Sequence, residues 1–193
     1  VPLVADMSSD ILSRPLDINK FGLIYAGAQK NLGPAGVTVV IVKKDLVKDT
    51  PDHLPTMLNY RTHLEKNSLY NTPPTLAIYF LKLVLEWVES EGGVEAMEKT
   101  NNEKAKILYD VIDESGGFYI GHARKDSRSN MNVTFTLADK EWEAEFLKQA
   151  REKGFVGLNG HRSVGGCRAS IYNAVPVSHV EKLAEFMRAF KNR

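Results

Sequence analysis

Tyr25-Ala26-Gly27-Ala28-Gln29-Lys30-Asn31-Leu32-Gly33-Pro34-Ala35-Gly36, followed at once by Val37-Thr38-Val39-Val40-Ile41-Val42, decides how this chain reads. The second part is an unbroken β-branched run, as expected for a strand covered on both faces. Leu23–Tyr25 predicts a short buried strand before it. Between the two, small residues frame a single lysine. Further upstream, Leu3–Ala5 predicts another short buried strand, and Asp6 ends it, twenty-four residues before Lys30.

An acid at the end of a strand and a lysine framed by small residues are what pyridoxal phosphate chemistry needs. The cofactor's aldehyde needs an amine to form a Schiff base, and its ring nitrogen needs a carboxylate to stay protonated and draw electrons. Glycine and alanine around Lys30 leave room for a ligand to approach the backbone. Lys30 must shed its proton before it can attack a carbonyl, which desolvation and nearby positive charge promote. Once displaced by substrate, it can serve as the base that moves the α-proton. Plainer readings stay open at this point. A lysine in such a turn is commonly solvated, and Asp6 could be a turn residue or helix cap, with Asp10 as an alternative acid. A phosphate-binding loop is excluded, because Ala28 stands after Gly27 where that motif requires lysine.

The remaining sequence predicts an α/β protein. Residues 44–70, with Pro51 and Pro55, read as a long irregular loop of the kind often used in function or at an interface. Thr72-Pro73-Pro74 reads as a helix start with Thr72 as cap. Leu76, Tyr79, Phe80, Leu83, Val84 and Trp87 follow at helical spacing. Gly92-Gly93 breaks that helix, and a second is expected over 94–114, with Met97, Leu108, Val111 and Ile112 on its apolar side. Ser115-Gly116-Gly117 ends it. Met131, Val133, Phe135 and Leu137 alternate as in a strand with one covered face. A helix over 140–153 turns Trp142, Phe146 and Leu147 inward. Phe155–Leu158 and Cys167–Tyr172 read as strands. Ser178-His179-Val180-Glu181 reads as a capping box for a last helix, with Val180, Leu183, Ala184, Met187 and Phe190 as its buried stripe.

The chain has 193 residues, 43% of them hydrophobic, and a net charge of +1, so charge gives no general pull toward nucleic acid or membrane. No stretch reaches transmembrane length. Cys167 is the single cysteine, which rules out an internal disulfide and suits a reducing cytoplasm. His53, His63, His122 and His179 show no metal-ligand spacing, and no metal is expected. Asn132-Val133-Thr134 matches a glycosylation signal formally but reads as strand. Gln29 could be a surface polar residue. Asn71 and Thr72 could simply cap a helix, whose free amides also favour an anion. Arginine at 162 and 168 offers a planar fork for carboxylate or phosphate.

The strings Ala5-Asp6-Met7-Ser8-Ser9 and Ala26-Gly27-Ala28-Gln29-Lys30-Asn31 resemble the phosphoserine aminotransferase family, fold-type I enzymes of class V. Related class V enzymes such as cysteine desulfurases usually carry His where Gln29 stands. Asn71-Thr72-Pro73-Pro74-Thr75 and the run from Gly160-His161-Arg162 through Arg168 to Ala174 agree in order and spacing, so the resemblance covers essentially the whole chain. It implies the C-terminal part of a large, mostly parallel, cofactor-binding domain over 1–90, then a small α/β domain over 91–193. Pyridoxal 5′-phosphate is the implied cofactor, anchored by Lys30, with Asp6 at its ring nitrogen and Gln29 on its phosphate. Asn71 and Thr72 are implied to reach the phosphate in a neighbouring subunit, giving a homodimer with shared sites. Arg168 is implied to take the substrate α-carboxylate, and His161 and Arg162 the substrate phosphate.

The implied reaction interconverts 3-phosphohydroxypyruvate plus glutamate with phosphoserine plus 2-oxoglutarate, in serine biosynthesis, by a ping-pong mechanism. The resemblance also places this chain as the C-terminal half of a longer enzyme. The isolated chain is therefore expected to show negligible transaminase activity and some exposed apolar surface. The rivals are another class V enzyme, such as an alanine–glyoxylate transaminase or a desulfurase using Cys167, and a folded remnant without catalysis.

Overall fold

Short apolar runs separated by turns assemble a three-stranded sheet. Strand β1 (Val4–Asp6) pairs in parallel with β2 (Leu23–Gly27), and β2 pairs antiparallel with β3 (Thr38–Val42). The computed structural model describes residues 1–48, 50–51 and 53–193 and divides them into two units, Val1–Gly93 and Val94–Arg193. The first sheet is thus mixed, where a mostly parallel one is expected for the whole large domain. Ile24, Ala26, Ala28 and Leu32 are buried with Met7 and Ile11, and this small cluster holds the lysine-bearing turn against the strand ends. The β-branched run behaves differently from expectation. No residue of β3 is fully buried: Val39 packs half-buried against that cluster, while Thr38 and Ile41 are exposed. A β-branched pattern records the cover a strand is built for, and these residues do not supply it.

The segment read as an irregular loop contains helix α1 (Lys44–Lys48), a 3-10 turn at Thr56–Leu58 and helix α2 (Tyr60–Glu65). The Asn59 side chain caps α2 by accepting the Arg61 amide at 2.9 Å, a signal the proline spacing conceals. Positions 49 and 52 lie outside the described residues. Helix α3 runs from Thr75 to Ser90. Thr72 is not its cap: the helix starts three residues later, after Pro74, with no side-chain cap. The predicted stripe on α3 is present but largely bare. Leu76, Tyr79, Phe80 and Leu83 are exposed, and Val88 is its buried residue. Periodicity reported an apolar face correctly; what covers that face lies elsewhere.

Helix α4 (Gly93–Asp113) opens the second unit's core. Positive φ at Gly116 and Gly117 ends the connection after it, as the glycine pair suggests. The sheet of this unit has the order β4 (Tyr119–Gly121), β5 (Asn132–Leu137), β7 (Gly165–Ser170), β6 (Asn159–His161), antiparallel throughout. Val133, Phe135 and Leu137 point into the core, matching the alternation read from sequence. Helices α5 (Lys140–Glu152) and α6 (Val177–Lys191) pack on that face. Phe146 is fully buried, with ring centroids of Tyr119, Phe135, Phe186 and Phe190 between 5.1 and 5.9 Å away. Each buried side chain of this size contributes about 1.5–3 kcal/mol. Trp142 is not inward but sits at the rim, 39% exposed, edge-on to Phe118. Phe155–Leu158 is not a strand; the strand begins at Asn159. The capping box of α6 is also absent, since the helix starts at Val177 after Pro176 with no side-chain cap.

A charged side chain lies deep in this core. Lys104 on α4 is fully buried, and its Nζ donates to the carbonyls of Ile171, Tyr172 and Val175 at 3.0, 2.8 and 3.1 Å. It ties α4 to the segment that leaves β7. Burial pushes its ammonium down to about 8.

Candidate active site

The site of the first unit is built at one end of the β1–β2 pair. Register puts Asp6, the last residue of β1, opposite Tyr25. Beyond Gly27 the chain folds into a tight turn in which the Ala28 carbonyl accepts the amides of Leu32 and Gly33 at 3.1 and 2.8 Å. Gln29 and Lys30 ride on that turn and are exposed. A side chain at Gly27 would place its Cβ 2.6 Å from Gln29 Oε1, so glycine lets the Gln29 amide lie back over the strand end.

Asp6 is an ionised acceptor. Its Oδ1 accepts the Ser8 hydroxyl at 2.6 Å and the Ser8 amide at 2.9 Å. These bonds, with smaller contributions from Tyr25 and the charge of Lys30, outweigh desolvation and hold the carboxyl below its ordinary range. Asp10, the alternative acid, is engaged locally by the Ser13 hydroxyl and Arg14. Among the described residues, Lys30 makes no hydrogen bond or ion pair. The desolvation expected around it is not supplied by these residues, since it stands exposed.

Asn31 was not singled out by sequence reasoning, although it follows the lysine directly. It is buried, and its Nδ2 donates to the carbonyls of Ser9 and Ile11 at 3.3 and 3.2 Å. It pins the lysine turn to the segment after Asp6. Asn31→Ala is expected to leave those carbonyls short of a donor, at about 1–3 kcal/mol of local stability. Faster hydrogen exchange at the Leu32 and Gly33 amides checks this; unchanged protection would refute it.

Asn71 and Thr72 are exposed and precede α3 rather than cap it, with Asn71 Nδ2 donating to the Thr72 carbonyl at 3.1 Å. His161, Arg162 and Arg168 belong to the second unit. His161 ends β6, and its Nδ1 accepts the Ser163 amide at 3.3 Å. Arg162 is exposed in the β6–β7 turn. Arg168 lies in β7 opposite Thr134, on the face away from the core. Its Nε is shielded from solvent with no hydrogen-bond partner among the described residues. Cys167, its neighbour, is 2% exposed, and burial pushes the thiol up to about 12. Such a thiol is protonated and inaccessible, which argues against a desulfurase nucleophile.

An acid closing a β-strand and a lysine on the adjoining turn thus stand at one end of a small sheet. The class-V aminotransferase family model matches residues 1–183, and the chain belongs to that family. Among relatives, it is 69% identical over 193 residues to phosphoserine aminotransferase of Geobacillus kaustophilus (strain HTA426), covering 54% of that protein. It superposes on a solved structure described as radiation damage of the Schiff base in phosphoserine aminotransferase with a TM-score of 0.97 and 66% identity. The enzyme from Bacillus circulans subsp. alkalophilus gives 0.96 and 62%. In both cases all of this chain and 53% of the other is covered. The chain therefore spans about half the length of the relatives it matches. Among the described residues, no helix is long and apolar enough to cross a membrane.

Proposed function

We propose that this chain carries the lysine-bearing half of a phosphoserine aminotransferase, acting with pyridoxal 5′-phosphate in the cytoplasm as a homodimer. The observation that carries this is the pairing of an ionised Asp6 with the exposed, unengaged Lys30 at the same strand ends, in a chain two-thirds identical to enzymes of that name. When bound, the cofactor supplies an electron sink for the carbanion left by α-proton loss.

The residues supply the rest. Lys30 would hold the cofactor's aldehyde carbon, and its free amine would take the proton from the substrate's α-carbon. Asp6, held anionic, would keep the cofactor's ring nitrogen protonated. Gln29 and, from a neighbouring subunit, Asn71 and Thr72 donate to phosphate oxygens. Arg168 receives the substrate α-carboxylate on its unpartnered edge. His161 and Arg162, both exposed, receive the substrate phosphate. The substrates are phosphoserine with 2-oxoglutarate, and glutamate with 3-phosphohydroxypyruvate, which places the reaction in serine biosynthesis. The dimer reading rests on the bare apolar face of α3 that follows Asn71 and Thr72. Residues 1–90 are read as the C-terminal part of the cofactor domain and 91–193 as the small domain.

The full-length enzyme containing this chain is expected to aminate bound cofactor with phosphoserine and not with alanine, followed by absorbance. Conversion by alanine at a comparable rate would point to the alanine–glyoxylate branch instead.

A further inference from the structure

We propose that Ser8, resting on the cofactor reading above, is a positioning residue that clamps one oxygen of the Asp6 carboxylate and ties it to the lysine-bearing turn through Gly27.

The geometry has two parts. Ser8 donates twice to a single atom, Asp6 Oδ1, from its hydroxyl at 2.6 Å and its amide at 2.9 Å. Two donors on one oxygen fix the rotation of the carboxylate plane. They also direct the remaining oxygen outward from the strand end, where Asp6 is exposed. On its own this is the local turn that Asp commonly makes with a residue two positions on. The second part is not local. The Gly27 amide, nineteen residues away, donates to Ser8 Oγ at 3.0 Å. A hydroxyl that donates to the acid and accepts from β2 joins the two halves of the site in one chain of bonds. Gly27 ends β2, and Gln29 and Lys30 follow on the turn. Ser8 thus holds the acid at a set orientation relative to the lysine.

The chemistry needs this. A carboxylate that keeps a ring nitrogen protonated must stay ionised and must face that nitrogen. Donors on its far oxygen stabilise the anion, and the lowered range of Asp6 is the trace of them. Asp6 is exposed and ends its strand, so without the Ser8 hydroxyl its carboxylate keeps only the Ser8 amide and the smaller contribution of Tyr25.

The carboxyl titration uses the 193-residue chain, and cofactor binding and trapping use the full-length enzyme containing it. Carbon-detected NMR follows the Asp6 carboxyl through pH without cofactor. Pyridoxal phosphate binding is read by absorbance, and borohydride trapping with intact mass reports attachment at Lys30. Ser8→Ala is expected to raise the Asp6 midpoint and weaken cofactor binding about tenfold or more, as for loss of a hydrogen bond to a charged group. Ser8→Thr, which keeps the hydroxyl, is expected to restore both. A role in packing alone would not move the Asp6 midpoint. An unchanged midpoint and unchanged affinity in Ser8→Ala, with a normal adduct in the full-length parent, overturns the proposal alone. Absence of any Lys30 adduct in the full-length parent sinks the site reading and the proposal with it. Should Ser8→Ala not fold, Ser8→Cys carries the same test, because its thiol fits the space but donates weakly.

Discussion

Lys30→Ala is expected to abolish the borohydride-stable adduct of pyridoxal phosphate, seen as loss of one cofactor mass from the intact protein. In the full-length enzyme the same change is expected to lower turnover by roughly 10²–10⁴-fold or more, the range for removing a positioned general acid–base. Two roles would be lost together, the covalent anchor and the proton carrier, so added amines should recover little of the rate. The fold should be indifferent, because Lys30 is exposed and makes no hydrogen bond or ion pair among the described residues. A variant that unfolds would mean the side chain is structural. One that still gives the adduct would move the anchor to another lysine.

Lys104→Ala is expected to destabilise the second unit by about 3–5 kcal/mol. The Ile171, Tyr172 and Val175 carbonyls lose a donor in a dry interior, at about 1–3 kcal/mol each where nothing replaces it. Tyr172 suffers least, since its carbonyl also accepts the Val175 amide at 2.9 Å. A cavity where the side chain lay adds to the loss. The pH dependence separates charge from packing. Lys104 titrates near 8 when folded and near its ordinary 10.5 when unfolded. Below about 8 both states carry the proton and its contribution is flat. Between about 8 and 10.5 the unfolded chain binds more protons, so this residue makes stability rise with pH. Denaturation of the parent and of Lys104→Met across pH 7 to 10.5 measures the difference. A constant difference would show that the three carbonyls hold the ammonium at its ordinary affinity for protons.

These two lysines show how legible the chain is. Lys30 stands out because its neighbours are unusual in composition and an acid ends a strand at a telling distance. Lys104 gives no such sign. On a helix of mixed polarity it reads as one more solvated charge, and only the path of the chain after β7 brings three carbonyls to it. Ser8 and Asn31 are of the same kind. Both lie inside the quoted motifs, yet their work consists of bonds to Gly27 and to the Ser9 and Ile11 carbonyls, which no spacing reports.

The sequence by itself determined the α/β class, the helix read over 94–114 and found at Gly93–Asp113, the alternating strand β5, the buried stripe of α6 and the nomination of Asp6 and Lys30. Each of these rests on local periodicity or on residue type. Tertiary structure decided what periodicity cannot reach. It left β3 only half-buried and most of α3 exposed although both are patterned for burial, moved the start of α3 past Thr72, and turned 155–158 from strand to connection. It also set which acid faces the lysine turn, by pairing β1 with β2 in parallel. The physical reason is common to all. Pattern states which surfaces want cover and which groups want partners, but partners distant in sequence are chosen by the path of the backbone.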